Sequence, residues 1–302
     1  MTVQARVTAI VVSVAVTALA ACQEAPPPSS AQKPLVVASF YPLYEFSRQV
    51  AGGRAKVVSL VPPGVEPHDW EPSPQDVAQV QKARLFVYNG GGFEQSADRI
   101  LAQVQGKDTL VVNTTAAMDL LRVGPGAGPD PHVWLDPVLA QAQVEAIRAG
   151  LERADPTGKG DYDAQARRFA GELASLHDAF EAGLRDCARR SVVVSHAAFT
   201  YLTKRYRLKQ ISVMGVAPES EPSPADLAAV VRIAQREKAR YVFFETLVSP
   251  RLAETLAREI GAKTLILNPI EGLTKEEAAA GKSYATLMRE NLSSLRTGLD
   301  CR

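Results

Sequence analysis

The sequence predicts an α/β protein of two lobes, each with a four-stranded parallel sheet flanked by helices, joined by one long rigid helix. Three observations carry this reading. Eight short apolar runs alternate with longer helical patterns and fall into two sets of four. Between the sets lies an unbroken helical periodicity over residues 161–187. A helix-start motif in the first set recurs 150 residues later in the second.

Composition bounds the function. The 302 residues are 46% hydrophobic and 22% charged, as in globular proteins and unlike disordered or collagen-like chains. Lys and Arg number 34 against 33 Asp and Glu, which argues against nucleic acid as a partner, since such binders gather a basic surplus. With only 4 His and 3 Cys, any metal or nucleophile site draws on few candidates.

Residues 1–21 carry one charge, Arg6, and then an apolar run from Val7 to Ala21. That run is too short to span a bilayer comfortably and suits a signal peptide. It ends in Leu19-Ala20-Ala21-Cys22, which resembles the lipobox of bacterial lipoproteins, where cleavage precedes an acylated Cys. Residues 22–34 then read as a Pro/Ser tether behind a lipidated Cys22. The expectation is an exported chain, in the periplasm or at the cell surface, anchored to a membrane through Cys22. Cys187 and Cys301 remain, and an even remainder in an oxidising compartment favours a disulfide between them.

Residues 35–158 form the expected N-terminal lobe, with strands at 35–40, 56–61, 85–89 and 110–113. Residues 188–302 form the second, with strands at 191–195, 210–213, 241–245 and 264–268. Most of these runs are apolar without alternation, as expected of strands covered on both faces. Residues 159–187 are the linking helix: Phe169, Leu173, Leu176, Phe180 and Leu184 recur at three- and four-residue steps as one stripe. The repeat is Glu71-Pro72-Ser73-Pro74-Gln75-Asp76 against Glu221-Pro222-Ser223-Pro224-Ala225-Asp226. Each copy offers Ser as N-cap, Pro at the first helical position and an acid in the first turn. Two related lobes facing across a cleft follow from it.

Two histidines sit in matching tetrads, Pro67-His68-Asp69-Trp70 and Pro131-His132-Val133-Trp134, which hold the only two Trp. His196 closes the strand at 191–195, at the sheet edge where ligands of open α/β sheets gather. His177 lies on the long helix and has no assigned role. Three imidazoles at one cleft suit zinc, and a carboxylate would complete a tetrahedron. Two acids qualify: the better placed is Glu271, just after the strand at 264–268, and the alternative is Glu245, ending the strand at 241–245.

Together these residues resemble the solute-binding proteins of zinc and manganese ABC transporters, a family of two lobes joined by one long helix. The resemblance covers residues 34–299. It runs through Ala38-Ser39-Phe40-Tyr41-Pro42-Leu43, Pro67-His68-Asp69-Trp70-Glu71-Pro72, Asn89-Gly90 and Asp130-Pro131-His132-Val133-Trp134-Leu135-Asp136-Pro137. It continues through Ser195-His196, Glu271-Gly272-Leu273-Thr274 and Gly281-Lys282-Ser283-Tyr284. The resemblance implies His68, His132, His196 and Glu271 as metal ligands, with Glu245 a structural acid beside them. It further implies a membrane permease as partner. Manganese-type members place a Glu where this chain has His196, and imidazole suits zinc better than manganese. Zn2+ is therefore the expected cargo, with Mn2+ the alternative. The His-rich loop of many zinc-type members is missing from residues 121–130.

The expected mechanism is a monomeric carrier in which both lobes contribute ligands, so that binding couples to closure. Acid should favour release, because imidazole binds metal only when neutral. The competing class is an exported zinc hydrolase, but the chain has no His-Glu-x-x-His helix and four protein ligands leave no open position. No enzymatic activity is expected. A surface adhesin is compatible with the anchor but names no chemistry.

Overall fold

Runs such as Val36-Val37 and Val192-Val193-Val194 have no polar face, so they form strands only where both sides are covered. In the computed structural model they do so in two sheets. The structure describes residue 2 and residues 33–302, apart from 124–127 and 217–222. The expected signal peptide, Cys22 and residues 23–32 of the tether lie outside the described residues. So do Glu221 and Pro222 of the second repeat and part of the 121–130 loop.

The first sheet comprises β1 (Leu35–Ala38), β2 (Lys56–Ser59), β3 (Leu85–Tyr88) and β4 (Leu110–Asn113), in the order β2-β1-β3-β4. The second comprises β5 (Ser191–Val194), β6 (Lys209–Ser212), β7 (Tyr241–Phe244) and β8 (Lys263–Ile266), in the order β6-β5-β7-β8. Every neighbouring pair is parallel. The two orders are the same path traced twice, as two related lobes require. In each, the order reverses between the first and third strands, and the crevice beyond their C-terminal ends is where open α/β sheets bind ligands.

Helices α1 (Tyr41–Ala51), α2 (Pro74–Gln81), α3 (Ala97–Val104) and α4 (Pro137–Ala154) belong to the first lobe. After the linking helix α5 (Lys159–Gly183) come α6 (Thr200–Arg205), α7 (Pro224–Arg236), α8 (Arg251–Ile260), α9 (Lys275–Ala279) and α10 (Tyr284–Gly298). Both repeat copies start helices as the motif predicts. The Ser73 hydroxyl accepts from Asp76 N ahead of α2, and the Ser223 hydroxyl accepts from Asp226 N ahead of α7.

Seven of the eight strands end one or two residues earlier than the apolar runs, and β4 ends where expected. Phe40, Val61, Asn89, Ser195, Glu245 and Asn268 leave the ladder at the C-terminal sheet edges, where they build loops. The linking helix likewise stops at Gly183, short of the expected 187. Leu184 N still donates to the Phe180 carbonyl, but the Arg190 guanidinium takes the Leu184 carbonyl and Cys187 turns aside to meet Cys301. The expected disulfide is formed.

Helix α5 has no side-chain N-cap. Its stripe explains why it holds. Phe169, Leu173, Leu176, Phe180 and Leu184 are each at most 1% exposed. Burying five such side chains contributes roughly 10 kcal/mol, against about 1 kcal/mol for a cap. The stripe enters one core that runs through both lobes, from Phe46 and Leu135 to Phe199, Phe243 and Tyr284.

Candidate metal centre

Four segments leave the C-terminal sheet edges and converge. His68 follows β2, His132 follows β4, His196 follows β5 and Glu271 follows β8. One ligating atom from each lies within 4.8 Å of the others. All four residues are buried, His132 and His196 at 0% exposure. Nε2 of His68, His132 and His196 stands 3.5, 3.1 and 3.4 Å from Glu271 Oε1.

None of those approaches is aligned as a hydrogen bond. The three Nε2 atoms and both Glu271 oxygens are buried polar atoms without a hydrogen-bond partner. Leaving one such atom unsatisfied costs about 1–3 kcal/mol. Three such nitrogens gathered within 3.5 Å of one unpartnered carboxylate oxygen cost more than packing alone would justify, so the cluster calls for a cation. His177 stands apart, its Nδ1 3.2 Å from the Tyr206 hydroxyl.

The ring orientations have causes. His132 Nδ1 lies 2.8 Å from Asp130 Oδ1, and His196 Nδ1 lies 2.8 Å from Glu245 Oε1. Each carboxylate accepts the Nδ1 proton and turns the Nε2 lone pair inward, the usual arrangement around a ligating His. Glu245, weighed in the sequence as an alternative ligand, thus serves His196 from behind. Burial disfavours a charged imidazole, yet these carboxylates together with Glu271 hold His132 above its ordinary pKa and His196 well above it. For Glu271, burial alone would raise the carboxyl, but the three imidazoles hold it well below the usual range.

Several contributors carry no legible signal in the sequence. Phe93 packs its ring 4.7 Å from that of His68 and 5.1 Å from that of Trp134, walling the cluster with hydrocarbon. The Glu66 carboxylate accepts from His68 N at 3.1 Å, and burial and the Glu271 charge push its pKa up to about 8. Ile270 has φ 57°, a left-handed backbone unusual for a β-branched residue. Asn268 holds it there: its Oδ1 accepts from Ile270 N at 2.7 Å, while Asn291 pairs with both backbone groups of Asn268. That strain aims Glu271.

The paired Trp motif has a second use. Trp134 Nε1 donates to the Pro269 carbonyl at 2.8 Å, two residues before Glu271, and the Tyr284 hydroxyl donates to the Trp134 carbonyl. The Tyr201 hydroxyl donates to the Asp130 carbonyl and accepts from Leu121 N. Gly64 N donates to the Leu273 carbonyl at 2.7 Å. None of these bonds uses an atom of the four-residue cluster.

The family model described as zinc-uptake complex component A, periplasmic, matches residues 36–298 of this chain. The chain belongs to that family. Among its relatives is the high-affinity zinc uptake system protein ZnuA of Bacillus subtilis, 37% identical over 287 residues, 90% of this chain and 89% of the relative. The zinc-binding lipoprotein AdcA of Streptococcus pneumoniae is 38% identical over 278 residues, 88% of this chain. Against AdcA the chain spans only 56% of the relative's length. The Zn(II)-bound ZnuA-like domain of S. pneumoniae AdcA superimposes with a TM-score of 0.79 at 41% identity, covering 89% of this chain and 99% of that one. Members of the zinc-uptake component A family are solute-binding parts of transporters, and this chain has the matching two-lobed fold.

Proposed function

We propose that this chain is the exported, high-affinity zinc-binding component of an ABC uptake transporter. It holds one Zn2+ with His68, His132, His196 and Glu271 and delivers it to a membrane permease. The observation that carries the reading is the set of three unpartnered buried imidazole nitrogens within 3.5 Å of one unpartnered carboxylate oxygen. Relatives named for zinc uptake and zinc binding support it. Three imidazoles favour zinc over manganese.

In this reading residues 35–158 and 188–302 are the two metal-binding lobes, and 159–187 join them. The chain acts as a monomer held to a membrane by lipid on Cys22. It is a carrier and not an enzyme, because four side chains fill the coordination sphere that a catalytic zinc leaves open to water.

The test is a titration of metal-stripped protein with Zn2+ and with Mn2+, followed by tryptophan fluorescence. Trp134 is buried with its ring 5.2 Å from that of His132, so its emission should respond. One equivalent of Zn2+ should saturate the change, with Mn2+ binding more weakly. Absence of a Zn2+ response, or an unchanged response in His196→Ala, would overturn the assignment. Zinc-dependent turnover of an ester or peptide would favour a hydrolase instead.

A further inference from the structure

The two lobes share one topology, yet the ends where their strands begin differ in charge balance. In the C-terminal lobe Arg207, Lys238 and Lys263 at that end are exposed without an ion pair, but the other four cations are engaged. Arg189 and Arg240 share Asp300, Lys209 meets Glu237 at 2.6 Å, and Arg190 donates to the carbonyls of Leu184, Tyr206 and Arg207. In the N-terminal lobe Lys33, Lys56, Lys82, Arg84 and Lys107 stand at the corresponding end. All five are exposed, and none forms an ion pair among the described residues.

The backbone gathers them into one rim. Lys56 N donates to the Pro34 carbonyl at 2.9 Å, Arg84 N to the Leu35 carbonyl at 2.9 Å, and Leu110 N to the Arg84 carbonyl at 3.0 Å. Arg54, at the same end, is neutralised by Asp155 and Asp161. A helix dipole accounts for Lys82, the C-cap of α2. It does not account for Lys33, Lys56 or Arg84, which precede or begin strands.

The chain reaches this rim from Cys22 through residues 23–32. Whatever their conformation, eleven residues, 23–33, span at most roughly 40 Å. A lipid on Cys22 therefore keeps this end of the lobe near the bilayer. The potential of anionic lipids decays within about 8 Å at physiological salt, so a basic rim acts only on the face that the tether brings down.

We propose that Lys33, Lys56, Lys82, Arg84 and Lys107 form a membrane-contacting face that rests on anionic phospholipid headgroups. The inference rests on the anchoring of Cys22 proposed above. In this pose the C-terminal sheet edge of the lobe, with His68 and His132, faces away from the bilayer, where metal is collected. Delivery to a permease then requires the tether to turn the lobe over.

The test uses the full acylated chain carrying Asp108→Cys, labelled there with a solvatochromic dye. Asp108 is exposed beside Lys107. The labelled protein is placed on phosphatidylcholine vesicles with or without about one-third phosphatidylglycerol. Flotation with the vesicles reports the anchor, and dye emission reports the face. The expected result is flotation in both lipids and a blue shift only with phosphatidylglycerol. The shift should be lost in about 0.5 M salt and in the K56E/R84E/K107E variant, which still floats and still binds Zn2+. Flotation with identical emission in both lipids would overturn the proposal, as would a shift that survives the three charge reversals. Failure to float in either lipid would overturn the anchor itself, and the membrane face with it.

Discussion

At the scale of single residues, the chemistry of the proposed shell lies as much behind the ligands as in them. Asp130 and Glu245 each fix one imidazole through Nδ1. Asp130→Asn and Glu245→Gln should each weaken Zn2+ binding by roughly 10- to 100-fold without unfolding the protein, measured by competition with a chelating dye. His177→Ala should leave affinity unchanged in the same assay. Protons compete for the same imidazoles. The carboxylates around His132 and His196 raise their pKa, which favours the charged form that cannot bind metal. Affinity should therefore fall steadily as pH is lowered from about 7.5 to about 5, and an affinity flat across that window would contradict imidazole ligation. The three His positions were legible because histidines are so few and two share a Pro-His-x-Trp context. The choice of Glu271 over Glu245 was favoured but not decided by strand-end placement. It depends on the left-handed Ile270 and on the Asn268–Asn291 pair, neither of which has a local signature.

At the scale of elements, glycine positions separate packing from propensity. Gly150 in α4 lies where a Cβ would meet Val112 Cγ2 at 2.6 Å, against β4. Gly171 in α5 faces open space. Gly150→Ala should destabilise by about 1–3 kcal/mol through overpacking, whereas Gly171→Ala should stabilise by about 0.5–1 kcal/mol through helix propensity. Urea denaturation of the two variants decides it, and equal effects would contradict the packing described here. The existence of all eight strands was legible, since unbroken runs such as Val192-Val193-Val194 suit only a doubly covered sheet, but their order within each sheet was not. Nor were their ends. An apolar run does not reveal where the ladder stops, and Glu245 leaves it to hold His196. The end of α5 was misplaced for a related reason: the stripe continues to Leu184, but the Cys187–Cys301 bond pulls the following chain off the helix axis.

At the scale of the whole molecule, the two lobes are joined by more than the linking helix. One apolar core passes through both lobes. The Trp134–Pro269, Tyr284–Trp134 and Tyr201–Asp130 bonds tie them together beside the site. Such couplings are invisible to sequence periodicity, because they join residues 71 to 150 positions apart. The disulfide closes a sequence separation of 114 residues, so Cys187→Ser/Cys301→Ser should lose about 2–5 kcal/mol of stability, read by urea denaturation in the absence of reductant. In the function proposed, three imidazoles and one carboxylate, drawn from four sheet-edge loops, enclose a single zinc ion. X-ray absorption at the zinc edge of the one-equivalent complex tests it most directly. The shell described here predicts three nitrogen neighbours at about 2.0–2.1 Å with imidazole multiple scattering, a carboxylate oxygen and no sulfur, and one nitrogen fewer in His196→Ala. Fewer than three imidazoles in the intact protein, a sulfur neighbour, or a spectrum unchanged by that substitution would contradict it.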